Sequence, residues 1–347
     1  LTYDFLNPHD QIKENYMKVL FIGGTGIIST ACASLAVSKG INLTLLNRGK
    51  SNRPAASGTN HLQADIHDPA SVLSALAGHN FDVVVDWIAF TPEDVQKDIN
   101  LFGGKTGQYV FISSASAYQT PVSNLPIRES TPLENPIWEY SRNKIACEEL
   151  LIEEYRRNKF PFTIVRPSHT YDQTCVPLEG GYTVIDRMLR GKPVIVHGDG
   201  TSIWTLTHSS DFAKGFIGLL GNSRARGEIF HITSDEWLAW NQIYQILAEA
   251  AGVTPTLVHI PSDLIAAYNS TIGDSLLGDK THSALFDNSK IKQVIPEFSA
   301  TIPFSRGAEE IIAWHKADPA RQKIDIEFND LCDLLLKNYQ KAWPENG

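Results

Sequence analysis

The feature that most narrows the fold is the run Lys18-Val-Leu-Phe-Ile-Gly23-Gly24-Thr25-Gly26-Ile27-Ile28-Ser29. A short apolar strand leads straight into a glycine turn, and the turn opens a helical segment. That order marks the first βαβ unit of a dinucleotide-binding sheet. Gly23 can make the tight turn, and Gly26 lets a pyrophosphate approach backbone N–H groups at a helix N-terminus. Ser29 stands at the third position, where a small residue keeps helix and strand close. Glycine turns of this kind also serve packing alone, so the βαβ context carries the cofactor reading.

That context continues along the chain. Strands are expected at Lys18–Ile22, Ile41–Leu46, Asp82–Val85, Tyr109–Ile112 and Phe162–Val165, with a short one before Ala64. Helices are expected at Gly26–Ser38, Pro69–Leu76 and Tyr140–Tyr155. Near-continuous apolar strands alternating with helices imply a parallel sheet covered on both faces. Later elements are shorter and mixed: strands at Pro193–Val196, Glu228–Ile232 and Thr256–His259, and helices at Trp240–Ala251, Ala308–Lys316 and 320–345, the last stopped by Pro344. The expected fold is α/β, a Rossmann-type doubly wound parallel sheet with a smaller α/β substrate-binding cap. Residues 1–16 read as a leader or peripheral extension. The sheet domain would take 17–174 plus 205–236, and the cap 175–204 plus 237–347.

Composition narrows the partners. The 347 residues carry 30 Lys+Arg against 39 Asp+Glu, a net charge of −9, and no basic block. Nucleic acid is therefore an unfavoured partner. No apolar run is long enough to cross a bilayer, so no membrane partner is expected. Cys32, Cys147, Cys175 and Cys332 are widely spaced, with neither a disulfide framework nor a zinc pattern, so no metal is expected. The expected location is the cytoplasm.

The second strand ends Leu46-Asn47-Arg48-Gly49-Lys50. An acid here would hold ribose hydroxyls, whereas an arginine suits a 2′-phosphate. Asn47 and Arg48 therefore favour NADP, with NAD possible. The alternative for Arg48 is a solvated loop charge. Asp65, with Ile66 beside it, is placed to bound an adenine edge, or is an ordinary surface acid.

A tyrosine followed four residues later by a lysine puts both on one helix face, where the ammonium can favour phenolate. Two such pairs occur, Tyr140/Lys144 and Tyr155/Lys159. Topology separates them. Ligands bind at the carboxyl ends of parallel strands, and the helix entering the strand at Phe162 must start at that edge. Tyr155 lies fifteen residues further on, about 22 Å away at 1.5 Å per residue. Only Tyr140 can face the cofactor. The strand Tyr109–Ile112 delivers Ser113 or Ser114 to the same edge, where a hydroxyl can bond a reacting oxygen.

These residues resemble an extended short-chain dehydrogenase/reductase of the NAD(P)-dependent epimerase/dehydratase family. GGTGIIS, DVVVDWIAF, FISSASAY, YSRNK, RPSHTY, GDG…THSSDFAKGF and FDNSKIKQVIPEF follow in the family order over Met17 to about Ala317. The resemblance implies Ser114 as the catalytic hydroxyl and Tyr140 as acid/base. It implies Lys144 as the residue that lowers the tyrosine's pKa and binds the nicotinamide ribose. It also implies Gly23, Thr25, Gly26, Ile27 and Ile28 as the pyrophosphate turn, Asp65 at the adenine, and Pro167 and Ser168 beside the nicotinamide. Family members often pair as homodimers through a four-helix bundle.

Several positions depart from the pattern. Ala115 and Ser116 replace the acid pair of the 4,6-dehydratases, which disfavours that reaction. His169 stands where many members have Asn, and Trp204 where an arginine binds the nucleotide diphosphate. Asp86-Trp87 replaces a His followed by a small apolar residue. These departures suggest a divergent branch similar to the chloroplast stem-loop-binding proteins. Trp87, Ser116, His169 and Trp204 are the candidate substrate residues, with core packing the alternative for each aromatic. The resulting expectation is an NAD(P)-dependent oxidoreductase or epimerase acting on a sugar or sugar-nucleotide hydroxyl. A non-catalytic nucleotide-binding or RNA-associated scaffold is its rival.

Overall fold

The computed structural model describes residues 16–342, so most of the expected extension and the Pro344 stop lie outside the described residues. The chain runs β1 (Lys18–Ile22), α1 (Ile27–Ser38), β2 (Asn42–Asn47), β3 (Asn60–Gln63), α2 (Pro69–Leu76), β4 (Val83–Asp86), α3 (Pro92–Phe102), β5 (Gln108–Ile112), α4 (Glu139–Asn158) and β6 (Phe162–Pro167). Next come β7 (His169–Tyr171), α5 (Tyr182–Leu189), β8 (Val194–His197), β9 (Ile203–Trp204), β10 (Leu206–His208), α6 (Ser209–Leu219), β11 (Glu228–Ile232), β12 (Leu238–Ala239), α7 (Trp240–Ala251) and β13 (Leu257–Ile260). The last part is helical: α8 (Ser262–Tyr268), α9 (Ser270–Ser275), a π-helical turn (Leu276–Lys280), α10 (Ser289–Val294), α11 (Phe304–Lys316) and α12 (Ile326–Gln340).

Seven strands form one sheet in the order β11-β6-β5-β4-β1-β2-β3, and every neighbouring pair is parallel. The order reverses between β1 and β4, the crevice in which doubly wound sheets bind ligands. This is a Rossmann-type fold. Alternation along β1 shows how both faces are covered. Val19 and Phe21 pack with Cys32, Ala33 and Ala36 of α1 and Phe212 and Phe216 of α6. Leu20 and Ile22 pack on the other side with Val95 and Ile99 of α3 and Cys147 and Leu151 of α4. A further apolar cluster joins α5, α7 and α11 around Val184, Trp204, Trp240, Leu247 and Ile311. Small two-stranded pairs, β10 with β7, β12 with β9 and β13 with β8, complete the described sheets.

Several boundaries differ from the sequence expectation. Gly26 caps α1 instead of starting it, with extended backbone at φ −85°. The strand expected at Asp82–Val85 runs one residue later, over Val83–Asp86, and the Asp82 carboxylate accepts from the Lys18 N–H at 2.8 Å. The terminal helix is confined to Ile326–Gln340, since Asp318 and Asp325 each cap a separate element. Helix α3 was not anticipated. Its cue is Thr91-Pro-Glu-Asp94, a capping box with proline in the first turn.

Candidate active site

The glycine turn closes over the end of β1. Gly23 and Gly24 both adopt left-handed backbone, φ +93° and +98°, where L side chains are strained. A Cβ on Gly24 would also lie 2.7 Å from Leu45. The first turn of α1 has no side-chain cap; Ser29 Oγ instead accepts from the Gly26 N–H at 2.7 Å. An uncapped helix start beside an open turn presents the dipole and free N–H groups to an anion. The indole N–H of Trp87 is buried beside this turn without a partner. These features fit a dinucleotide pyrophosphate, which Gly23, Thr25, Gly26, Ile27 and Ile28 would hold.

From the turn a cleft of about 670 Å³ runs along the strand ends; Ser114, Tyr140, Lys144, Pro167, Ser168, His169 and Trp204 all line it. A second cleft shares Gly23 and Thr25 with it and is lined by Asn47, Arg48, Asp65 and Ile66. Arg48 lies 3.9 Å from Asp65, both well exposed, so its guanidinium can swing to a ligand. Asn47 Oδ1 accepts from the Gly49 N–H, and Asp65 Oδ1 from the His67 N–H.

Helix α4 buries Ser141, Lys144, Cys147, Glu148 and Leu151, one face at helical spacing. Tyr140 therefore stands at the cleft edge, with Trp138 at 4.9 Å and Phe90 at 6.3 Å between ring centroids. Tyr155 sits at the far end of the helix, edge-on to Phe162. Ser114 and Ser113 divide their tasks. Ser113 is buried and donates to Glu148 Oε1 at 2.5 Å, leaving Ser114 to face the cleft. Ser141 donates to Ser116 at 2.8 Å, and Ser116 and Ser114 hydroxyls lie 2.9 Å apart. With Ser141 donating, Ser116 has its own proton free for Ser114, which in turn can donate toward Tyr140.

Lys144 departs from its expected effect on Tyr140. Its ammonium donates to the carbonyls of Ala89 at 2.7 Å and Ile112 at 2.8 Å, and lies over the Tyr140 ring face at 5.8 Å. Burial pushes the Lys144 ammonium down to about 8. Burial also raises the Tyr140 phenol; the Ser114 hydrogen bond opposes this and the Asp279 carboxylate adds to it. The ammonium is spent on backbone and does not hold the phenol down.

The candidate substrate residues separate. Trp87 packs on Phe21 and Phe216, beside the glycine turn. Ser116 is buried behind Ser114 and acts on it. Trp204 is buried against Trp240 and donates its indole N–H to His169 Nδ1 at 3.1 Å. Burial and nearby Lys280 lower the His169 imidazole to about 3, so the ring is neutral. His208 and Asp211 are structural: His208 accepts from the Ser210 N–H, and Asp211 from the N–H groups of Thr301 and Ile302. Asp279 and Lys280, on the π-helical turn, also reach the cleft and escaped the sequence reading, since no motif marks them. Among the described residues no cluster of three or more His, Cys, Asp or Glu could hold a metal, and no helix is long and apolar enough to cross a membrane.

Known proteins resemble the chain in sequence and in fold. The sequence pattern of the NAD dependent epimerase/dehydratase family matches residues 19–233. Chloroplast stem-loop binding protein of 41 kDa b from Arabidopsis thaliana is 31% identical over 258 residues, covering 70% of this chain and 65% of that protein. The 2'-dehydrokanamycin reductase of Streptomyces kanamyceticus is 23% identical over 306 residues, 87% of this chain and 85% of that one. Epimerase Mth375 from Methanothermobacter thermautotrophicus shares the fold at TM-score 0.72 and 17% identity, over 88% of this chain and 94% of that one. A UDP-glucuronic acid 4-epimerase from Bacillus cereus, solved with UDP-glucuronic acid and NAD, does so at 0.69 and 20%, over 87% and 99%. The chain belongs to the NAD dependent epimerase/dehydratase family, within the extended short-chain dehydrogenases/reductases.

Proposed function

We propose that the protein is a dinucleotide-dependent oxidoreductase acting on a carbohydrate hydroxyl, with Tyr140 as the acid/base. The observation that carries this reading is the meeting of Tyr140, Ser114 and the glycine turn in one cleft. When bound, a nicotinamide dinucleotide supplies the two-electron exchange with the substrate carbon. Tyr140 takes the hydroxyl proton as the carbonyl forms and returns it in the reverse direction. The chain Ser141–Ser116–Ser114 leaves the Ser114 hydroxyl proton able to turn from Tyr140 to the same oxygen. Lys144 braces the strand ends at Ala89 and Ile112 and offers its third N–H to the ribose.

Net oxidation releases the carbonyl, net reduction releases the alcohol, and epimerisation is oxidation followed by reduction from the opposite face. A 4,6-dehydratase is disfavoured because Ala115 follows Ser114 with no proton-transfer group. NADP is the favoured cofactor, on the strength of Arg48 and Lys50 lining the second cleft without an acid at the end of β2. The cap would comprise 175–204 and 237–347, and the protein would act as a homodimer pairing along α4, which sedimentation tests.

The stem-loop-binding name of the Arabidopsis relative favours one rival, a non-catalytic RNA-associated scaffold. The net charge of −9 opposes it. Titration with NADPH, followed by turnover assays on Tyr140→Phe, tests the reading. Cofactor binding with turnover lost by about a hundredfold or more supports it. Unchanged turnover, or no cofactor binding, would overturn it.

A further inference from the structure

The substrate half of the cleft is poor in positive charge. Besides Lys144, which is committed to two carbonyls, the only cationic side chain lining it among the described residues is Lys280. Lys280 is mostly buried, 3.8 Å from Glu179 and 3.9 Å from Asp279, and its ammonium lies 5.4 Å over the Trp138 ring. His169 is neutral, and Trp204 fills the wall beside it. A phosphate here would meet one cation, Lys280, already shared between the Glu179 and Asp279 carboxylates, and would itself face Asp279.

That carboxylate is the second observation. Asp279 lines the cleft with no hydrogen bond to its side chain, and burial raises it to about 6 against the opposing pull of Lys280. A largely buried carboxylate whose contact to Lys280 is a long 3.9 Å gains from a ligand that supplies a closer donor. The π-helical turn holds it in place. Asn135 Nδ2 donates to the Gly278 carbonyl at 2.7 Å, and a Cβ on Gly278 would lie 2.8 Å from Trp138. Such turns inside helices frequently mark functional sites.

We propose that this cleft takes a phosphate-free sugar, its ring against Trp138 and one hydroxyl or ammonium group donated to Asp279. The inference rests on the oxidoreductase reading above and fixes its substrate class, setting sugar nucleotides aside. Trp138 supplies the flat apolar face that a sugar's C–H groups pack against, and Asp279 the acceptor that orients it.

The test first measures NADPH binding by fluorescence; failure at that step overturns the cofactor reading and leaves the cleft chemistry to the next step. The full-length protein, with NADPH or NADP present, is then titrated by calorimetry with UDP, UDP-glucose, methyl glucoside and glucosamine. UDP is expected to give no binding, and UDP-glucose to bind no tighter than methyl glucoside. Asp279→Asn is expected to weaken the unphosphorylated sugars about tenfold or more while NADPH affinity holds. A loss confined to glucosamine identifies an ammonium as the donor, and an equal loss for both a hydroxyl; each supports the proposal. Binding of UDP, tighter binding of UDP-glucose, no response to either sugar, or no effect of Asp279→Asn would overturn it.

Discussion

Trp204 donates its indole N–H to His169 Nδ1 at 3.1 Å, which requires the imidazole proton to sit on Nε2. The cleft therefore contains a neutral ring in one tautomer. Trp204→Phe keeps most of the packing against Trp240 and removes the donor. The expected cost is about 1–3 kcal/mol of unfolding free energy from the unpaired Nδ1, read by urea denaturation. Wild-type stability in Trp204→Phe would contradict the assignment.

Arg48 is held only by a long, exposed contact to Asp65. Arg48→Ala is expected to weaken NADPH at least tenfold and leave NADH nearly unchanged, since only the 2′-phosphate uses the guanidinium. Parallel fluorescence titrations of the two cofactors check this. Equal losses for both would overturn the proposed preference for NADP.

Lys144 titrates near pH 8 in the ligand-free protein, with burial the dominant cause. Below that pH it is charged and able to hold ribose oxygens; above it the charge is lost. In the reduction direction kcat/KM for the cofactor, which reports the free protein, is expected to be level near pH 7 and to fall above about 8. Tyr140 remains a phenol across this range, because its own pKa is raised by burial. A profile level to pH 10 would refute the assignment.

Asp279 bears on stability as well as on binding. Its folded pKa is about 6, against 3.8 for the free side chain. Between those values the folded state binds more protons than the unfolded one, so stability falls as pH rises through the window. Well above pH 6, where both states are ionised, the full penalty applies, about 2–3 kcal/mol. Asp279→Asn should therefore be more stable than the parent at pH 7.5, with the gain gone by pH 4. Thermal unfolding at the two pH values distinguishes this from a pH-independent packing effect.

Glu148 and Arg166 form a fully buried pair, with Nε to Oε1 at 2.9 Å and Nη2 to Oε2 at 2.5 Å. Glu148→Gln leaves the guanidinium without its counter-charge. The expected destabilisation is about 3–5 kcal/mol, measured by chemical denaturation. A loss under 1 kcal/mol would show that the pair is not isolated from solvent.

Much of this site was legible because topology is legible. Once Lys18–Ile22 and the glycine turn define the sheet edge, the end of β5 and the start of α4 must arrive there, bringing Ser114 and Tyr140. The same argument separated Tyr140 from Tyr155. What escaped depends on contacts between distant segments. Asp279 and Lys280 reach the cleft from a turn more than a hundred residues beyond Tyr140, and no spacing rule connects them. Whether the Lys144 ammonium points at a phenol or at carbonyls is likewise decided by the Ala89 and Ile112 backbone, not by Tyr140-x-x-x-Lys144. Helix α3 was readable from its capping box and from Val95, Ile99 and Phe102 at helical spacing, a stripe thinned by the charged residues between them.

The Glu148 carboxylate also accepts from Ser113, the residue directly before Ser114. Strand β5, helix α4 and strand β6 thus meet in one electrostatic knot just behind the reacting groups. Replacing Glu148 or Arg166 cannot loosen such a knot in small steps, because either change leaves a charge stranded in the interior. Change in this chain would therefore be channelled outward, toward Trp138 and Asp279 on the cleft wall. Under the proposed mechanism, the substrate wall can then vary while the residues around Ser114 and Tyr140 stay fixed.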